Sequence, residues 1–266
     1  MRETDWARAR TAHADELGLT RRAQMTGMFS AFVAVALASE VAVARPLRRV
    51  SARDWIDRQD ELGRALKRGE IKPADWMAGV GQLAREIDVA QLMAEVDHAR
   101  VGAFSVPPTN DPRKRSVRFI DDKGEPRRLI YAAALFDFSP ANVITPHGHR
   151  HMVSSHLVVA GCFRVRNFDR IRDEEHAMII RPTRDAVASV GTLSAMSADR
   201  DNIHWFVPQG GPARTFDVII SGLDAGQPDY DIQAIDPLGG KRMRDGSIVA
   251  PIMTFEDASA KYTNKA

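Results

Sequence analysis

Two textures of apolar residues succeed one another along the chain. From Ser51 to about Ala99, Trp55, Ile56, Leu62 and Leu66 recur at three- to four-residue spacings, the period of one face of an α-helix. Lys67-Arg68-Gly69 ends that helix, and Lys72-Pro73-Ala74-Asp75-Trp76 opens a second through Met77, Val80 and Leu83. A third segment, residues 89–96, carries Leu92, Met93 and Val96. Stripes of this kind face a core, so this part reads as a helical cap packed on the rest of the chain.

Val106-Pro107-Pro108-Thr109-Asn110-Asp111-Pro112 is a proline-rich break and marks the internal boundary. Beyond it come short runs rich in β-branched and aromatic residues: 116–120, 129–137, 142–145, 152–160, 162–168, 177–181, 191–196, 203–207, 213–221 and 232–236. Turn signals such as Asp122-Lys123-Gly124, Arg181-Pro182-Thr183 and Gln209-Gly210-Gly211-Pro212 separate them. No ten-residue helical pattern interrupts the series, which predicts a mainly β sandwich or small barrel. The tail from Lys241 is charged, with one apolar patch at 248–255 able to fold back on the barrel.

The first residues read differently. Residues 1–22 are charged and end in Thr20-Arg21-Arg22; the apolar run 25–37 comes next, then Ala42-Val43-Ala44 before Arg45-Pro46. That order describes a secretory signal, and the paired arginines resemble a twin-arginine export signal. The run is short of the roughly 20 residues of a membrane span, although an uncleaved anchor and an ordinary amphipathic helix are the rival readings. The expected organisation is an export signal over 1–44, a helical cap over 45–105, a barrel over 106–240 and a C-terminal tail over 241–266. The expected location is periplasmic or secreted, without stable membrane insertion after cleavage, or cytoplasmic if translation starts further downstream.

Composition narrows the chemistry. A net charge of +2 implies no nucleic-acid partner, and the basic run Arg113-Lys114-Arg115 reads as a solvated loop. The single cysteine, Cys162, excludes an internal disulfide and a cysteine-based zinc cluster; it reads as a strand residue. Arg164 and Arg166 alternate with Phe163 and Val165, so they share a face, either solvent or a carboxylate-binding pocket.

Pro146-His147-Gly148-His149-Arg150-His151 carries the strongest signal. On an extended chain alternate side chains point the same way, so His147 and His149 aim imidazoles at one point. The intervening Gly148 lets backbone and metal approach closely, and Pro146 stiffens the turn into the run. His204, in Asn202-Ile203-His204-Trp205-Phe206, is a further candidate far away in sequence, as expected if a neighbouring strand closes the site. His151 shares the parity of the pair and His156 that of Ser154, leaving each open as a further ligand or pocket residue. His13, His98 and His176 read as ordinary polar residues.

These residues resemble the cupins, double-sheet barrels with a metal in the mouth. His147-Gly148-His149, four residues, Ser154, six residues and Gly161 keep the spacing of the first cupin motif, with Ser154 where a Glu is usual. Three histidines without the carboxylate resemble the thiol dioxygenases, in particular the cysteamine dioxygenase and plant cysteine oxidase branch. Gly161-Cys162-Phe163-Arg164-Val165-Arg166-Asn167-Phe168-Asp169, Asn202-Ile203-His204 and Thr215-Phe216-Asp217-Val218-Ile219 carry that likeness. Where the plant enzymes have a Pro-Pro-Tyr segment this chain has Ser221-Gly222-Leu223-Asp224, and its next tyrosine is Tyr230. The resemblance implies Fe2+ on His147, His149 and His204, with Asp217 behind the ligands orienting them or the substrate; His156, on the inward strand face with Ser154, is a candidate catalytic group lining the pocket. The implied reaction oxidises a small thiol to a sulfinic acid with O2 as co-substrate. Zn2+ or Mn2+ in another kind of cupin enzyme, and a non-catalytic ligand-binding cupin, are the alternatives.

Overall fold

A computed structural model describes residues 49–96 and 111–263. The export-signal reading, His13, His98 and most of the proline-rich break lie outside the described residues.

Among the described residues three helices come first: α1 (Ala52–Lys67), α2 (Pro73–Glu86) and α3 (Val89–Glu95). Ser51 opens α1 by accepting the backbone N–H of Asp54 on its hydroxyl at 3.1 Å, and Asp88 caps α3 in the same way. Twelve strands come after them: β1 (Arg113–Val117), β2 (Ala132–Phe138), β3 (Ile144–Arg150), β4 (Val153–Ala160), β5 (Cys162–Asp173), β6 (Ala177–Ser189), β7 (Leu193–Met196), β8 (Ile203–Pro208), β9 (Ala213–Ile220), β10 (Asp231–Ile235), β11 (Lys241–Arg242) and β12 (Ile248–Met253). Helix α4 (Phe255–Tyr262) closes the described chain.

The strands form two antiparallel sheets, ordered β1-β2-β9-β4-β7 and β10-β3-β8-β5-β6-β12-β11. In one, β9 runs between β2 and β4; in the other, β8 runs between β3 and β5. This interleaving of strands β2 to β9 is the jelly roll, the architecture of cupins. The fold is therefore mainly β, with the expected helices on its N-terminal side.

Alternation along β4 and β9 decides what each face meets. Val153, Leu157, Phe216, Val218 and Ile220 join the helical residues Trp55, Trp76, Leu83 and Leu92 in one buried cluster. Trp55 meets Phe216 edge-on at 5.9 Å, and its indole N–H donates to the Leu83 carbonyl at 3.2 Å. The residues between them, Ser154, His156, Thr215 and Asp217, are buried too, on the opposite face. Both faces of β4 and β9 are thus buried, one against the apolar helices and the other lined by polar residues. The helices pack on the outer face of one sheet.

Several strand limits differ from the sequence expectation. The histidine motif lies inside β3, not ahead of a strand, because a register shift between Ile144 and His147 accommodates Pro146, which has no N–H to give the ladder. Arg181-Pro182-Thr183 is no turn: Pro182 sits inside β6 opposite Phe168, at a second register shift in the long β5–β6 hairpin. Arg113-Lys114-Arg115 forms β1, and Arg115, mostly buried, pairs with Asp137 at 2.5 Å. The apolar patch of the tail folds back as β12, hydrogen-bonded to β6 and β10, and α4 continues from it so that Tyr262 packs on Trp205 at 4.9 Å.

Candidate metal centre

His147 and His149 project from β3, and β8 brings His204 to the register position opposite His147. One ring nitrogen of each histidine lies within 4.8 Å of the others, close enough for a single ion to bridge them. His149 is 6% and His204 1% exposed.

Each ring is held from behind. His147 Nδ1 donates to the Thr145 carbonyl at 2.7 Å, while His149 Nδ1 meets the Met152 sulfur at 3.1 Å and His204 Nδ1 the Met196 sulfur at 2.7 Å. A carbonyl or a thioether can only accept, so these contacts place the proton on Nδ1 and leave Nε2 as the free lone pair. Burial keeps the rings neutral: it pushes His147 down to about 4, and holds His149 and His204 well below the ordinary imidazole value, with neighbouring histidines adding to the effect.

Two glycines are required by what surrounds them. A Cβ on Gly148 would come 2.8 Å from Asn202 Oδ1. Asn202 needs that position, since its Nδ2 donates to the His149 carbonyl at 2.6 Å and to the Ser197 carbonyl at 3.0 Å. The glycine between the histidines therefore makes room for the Asn202 clamp, whereas the sequence suggested room for a metal. Gly161 has φ +69 and would place a Cβ 2.6 Å from the Pro212 carbonyl, which explains the glycine at the end of the motif.

A line of hydrogen bonds runs beside the three rings on the facing sheet. His156 Nδ1 lies 2.7 Å from Asp217 Oδ2, and His156 Nε2 lies 3.1 Å from Ser154 Oγ. A carboxylate accepts only, so the imidazole carries its proton on Nδ1 and takes the serine hydroxyl's hydrogen on Nε2. The His156 ring centroid is 4.6 Å from that of His204, and the two ring planes meet at 76°. Ser154, at the position of the cupin Glu, thus supplies a hydroxyl to His156 and leaves the three histidines as an all-nitrogen set.

A cavity of about 360 Å³ opens over these groups. Phe136, Ile144, Ile219 and Ile232 give it apolar walls, and Lys114 and Tyr230 stand at it too. Neither of the latter was expected at the site: Lys114 lies in a basic run, and Tyr230, 59% exposed, lies in a loop distant from the histidines in sequence. Met152 and Met196 were also missed; nothing in sequence distinguishes a methionine that braces an imidazole from one in a core.

Other candidates lie elsewhere. His151 leaves the strand at φ 61 and pairs with Asp224 at 2.5 Å, so its parity with His149 is broken and it stands apart from the cluster. His176 is solvent-exposed beside Glu175. Arg164 pairs with Asp185 at 2.7 Å, and Arg166 stacks on the Trp205 ring at 4.0 Å, on the outside of the barrel. Cys162 is a free, partly exposed thiol at the start of β5.

The donor set fits a transition metal: neutral imidazoles suit iron, zinc, copper and nickel. His149 Nε2 is buried without a hydrogen-bond partner, which a metal ligand would be.

No protein-family model matches the chain, and no curated protein matches it. Solved structures do. A Klebsiella pneumoniae conserved protein with a double-stranded β-helix domain is 15% identical, over 48% of this chain and 89% of that one, with a TM-score of 0.31. A cupin superfamily protein of Desulfitobacterium hafniense is 11% identical, over 43% and 81%, at 0.29. An oxalate oxidase is 16% identical, over 50% and 59%, at 0.33. At such identities the jelly roll is read from the strand order, not from these likenesses.

Proposed function

We propose that the protein is a non-haem iron thiol dioxygenase-like enzyme that converts a small thiol and O2 into a sulfinic acid. The observation that carries this reading is the set of three neutral imidazoles, backed by Nδ1 contacts and free of any carboxylate, facing a narrow cavity with apolar walls. With no anionic ligand the ion keeps its full charge and favours an anionic sulfur ligand. His147, His149 and His204 would hold the iron, which supplies the O2 chemistry and acidifies the thiol. Both oxygen atoms of O2 end on sulfur, so R–SH and O2 give R–SO2H with no further reductant.

The chain's own residues do the rest. Ser154 can take the thiol proton as its own passes to His156 Nε2, and Asp217 steadies the resulting imidazolium across the Nδ1 hydrogen bond. Phe136, Ile144, Ile219 and Ile232 keep bulk water from the sulfur. Lys114 offers a positive charge to a substrate carboxylate.

A second reading draws on the same Ser154–His156–Asp217 line, which also suits activation of a water by a Lewis-acidic Zn2+ or Mn2+. Oxygen uptake separates the two. Ferrous-loaded protein should consume O2 only when a small thiol is present, and His204→Ala should abolish it. Metal-loaded protein that consumes no O2 with any thiol overturns the dioxygenase reading, and tightly held zinc in the purified protein would favour the second. Export in folded form belongs to the same proposal and is tested by N-terminal sequencing of the mature protein.

A further inference from the structure

A second, larger cleft of about 840 Å³ lies between α2 and residues of β5, β6 and β7. It shares no lining residue with the metal cavity. The sequence creates the space: Ala74, Ala78 and Gly81 come at helical spacing on α2, and none puts more than a methyl group into it.

The charges around the cleft are unequal. Arg85, Arg184 and Arg200 line it against Asp169 and Asp201. Both carboxylates are engaged: Asp169 Oδ1 accepts the Asp201 backbone N–H at 2.8 Å, and Asp201 Oδ1 accepts the Thr183 hydroxyl at 2.5 Å. Arg200 Nε lies 3.8 Å from the other oxygen of Asp201. Arg85 and Arg184 form no ion pair among the described residues. Arg85 Nη2 donates to Gln82 Oε1 at 2.5 Å and Arg184 Nη1 to the Leu193 carbonyl at 3.2 Å, so each guanidinium keeps most of its five N–H groups.

An independent observation comes from the floor. Asn167 is 1% exposed and lines the cleft; its Oδ1 accepts the Ser194 hydroxyl at 3.3 Å, and its Nδ2 has no hydrogen-bond partner. Exchanging the amide's two ends would orphan the oxygen instead, so one polar atom goes unpaired either way. Buried amides are almost always paired. Asn167 and Arg184 are register partners across β5 and β6, so both side chains project from the same side of the hairpin.

We propose that this cleft binds a small organic anion, its carboxylate or phosphate held by Arg184 and Arg85 and its remaining acceptor by Asn167 Nδ2. Guanidinium groups pair both oxyanions through two parallel hydrogen bonds, and the amide completes a site that accepts acceptor-rich ligands only. Asp201 pairs with Arg200, and neither it nor Asp169 pairs with Arg85 or Arg184.

The test is calorimetric titration and thermal unfolding of the full-length, metal-free protein with citrate, glycerol 3-phosphate, inorganic phosphate and, as the neutral control, glycerol. Saturable binding of citrate or of the phosphates, with none of glycerol, is expected, and which arm responds identifies the anion. Arg184→Gln should weaken that binding about tenfold or more, the loss expected for a charge-assisted pair. Arg85→Gln, at an exposed helical position, is the second variant should the first fail to fold, with the same expected direction. Binding should persist in His204→Ala, which separates this site from the metal centre. No saturable binding of any anion, or unchanged affinity in both arginine variants, overturns the proposal.

Discussion

His156 and Asp217 are register partners across β4 and β9, and their side chains meet at 2.7 Å on the buried face of that pair. Asp217 is 0% and His156 5% exposed, so this bond fixes the tautomer of an imidazole that stands beside the three candidate ligands. Replacing Asp217 by Asn keeps the shape and removes the negative charge that would steady a His156 imidazolium. Turnover of the proposed reaction should fall about 10- to 100-fold in Asp217→Asn, with metal content by elemental analysis unchanged. Loss of metal in step with activity would instead make Asp217 a structural support of the ion.

Acid should destabilise the metal-free fold through its histidines. In the unfolded chain they protonate near the ordinary value of 6.5, whereas in the folded chain His147 stays neutral down to about 4 and burial holds His149 and His204 well below that ordinary value. Over that window the unfolded state binds more protons, so stability rises with pH and is lost as pH falls below about 6.5. Each such proton contributes a slope of up to about 1.4 kcal/mol per pH unit. Urea unfolding of metal-free protein between pH 7.5 and 5, with His204→Gln expected to flatten the profile, checks this; superimposable profiles would refute it.

Asn202 ties the loop before β8 to the backbone of β3. Asn202→Ala leaves the His149 and Ser197 carbonyls without their shared donor and opens space above Gly148. A stability loss of about 1–3 kcal/mol is expected for such buried groups, read from the urea midpoint, together with weaker metal retention on dialysis against a chelator.

Lys114 is solvent-exposed, so its pull on a substrate is screened. Lys114→Met should raise KM about threefold for a carboxylated thiol such as 3-mercaptopropionate. The KM for neutral 2-mercaptoethanol should not move. Equal effects on both thiols would assign Lys114 to the shape of the cavity alone.

The sequence by itself determined the class of fold and the ligand candidates. Short β-branched runs with turn signals specify strands because alternation and local backbone preference act over a few residues. His147-Gly148-His149 is legible for the same reason: on any extended segment those two side chains share a face. His204 was found through the spacing and the likeness to a known family, not through any local rule.

Only the tertiary structure decided the rest, because strand register and sheet order are set by contacts far apart in sequence. It put His151 outside the cluster, since a left-handed backbone at that residue breaks the alternation that parity assumes. It kept Pro146 and Pro182 inside strands, where bulges absorb the missing N–H that reads locally as a break. It joined Ser154, His156 and Asp217 into one hydrogen-bonded line, and brought Lys114 and Tyr230 to the cavity from segments that carry no signal of their own. The helices were visible in the sequence, but their place over a sheet face depends on which side of β4 and β9 is apolar once those strands are paired. A side chain's direction is local physics; the partner it points at is decided by how the two sheets close.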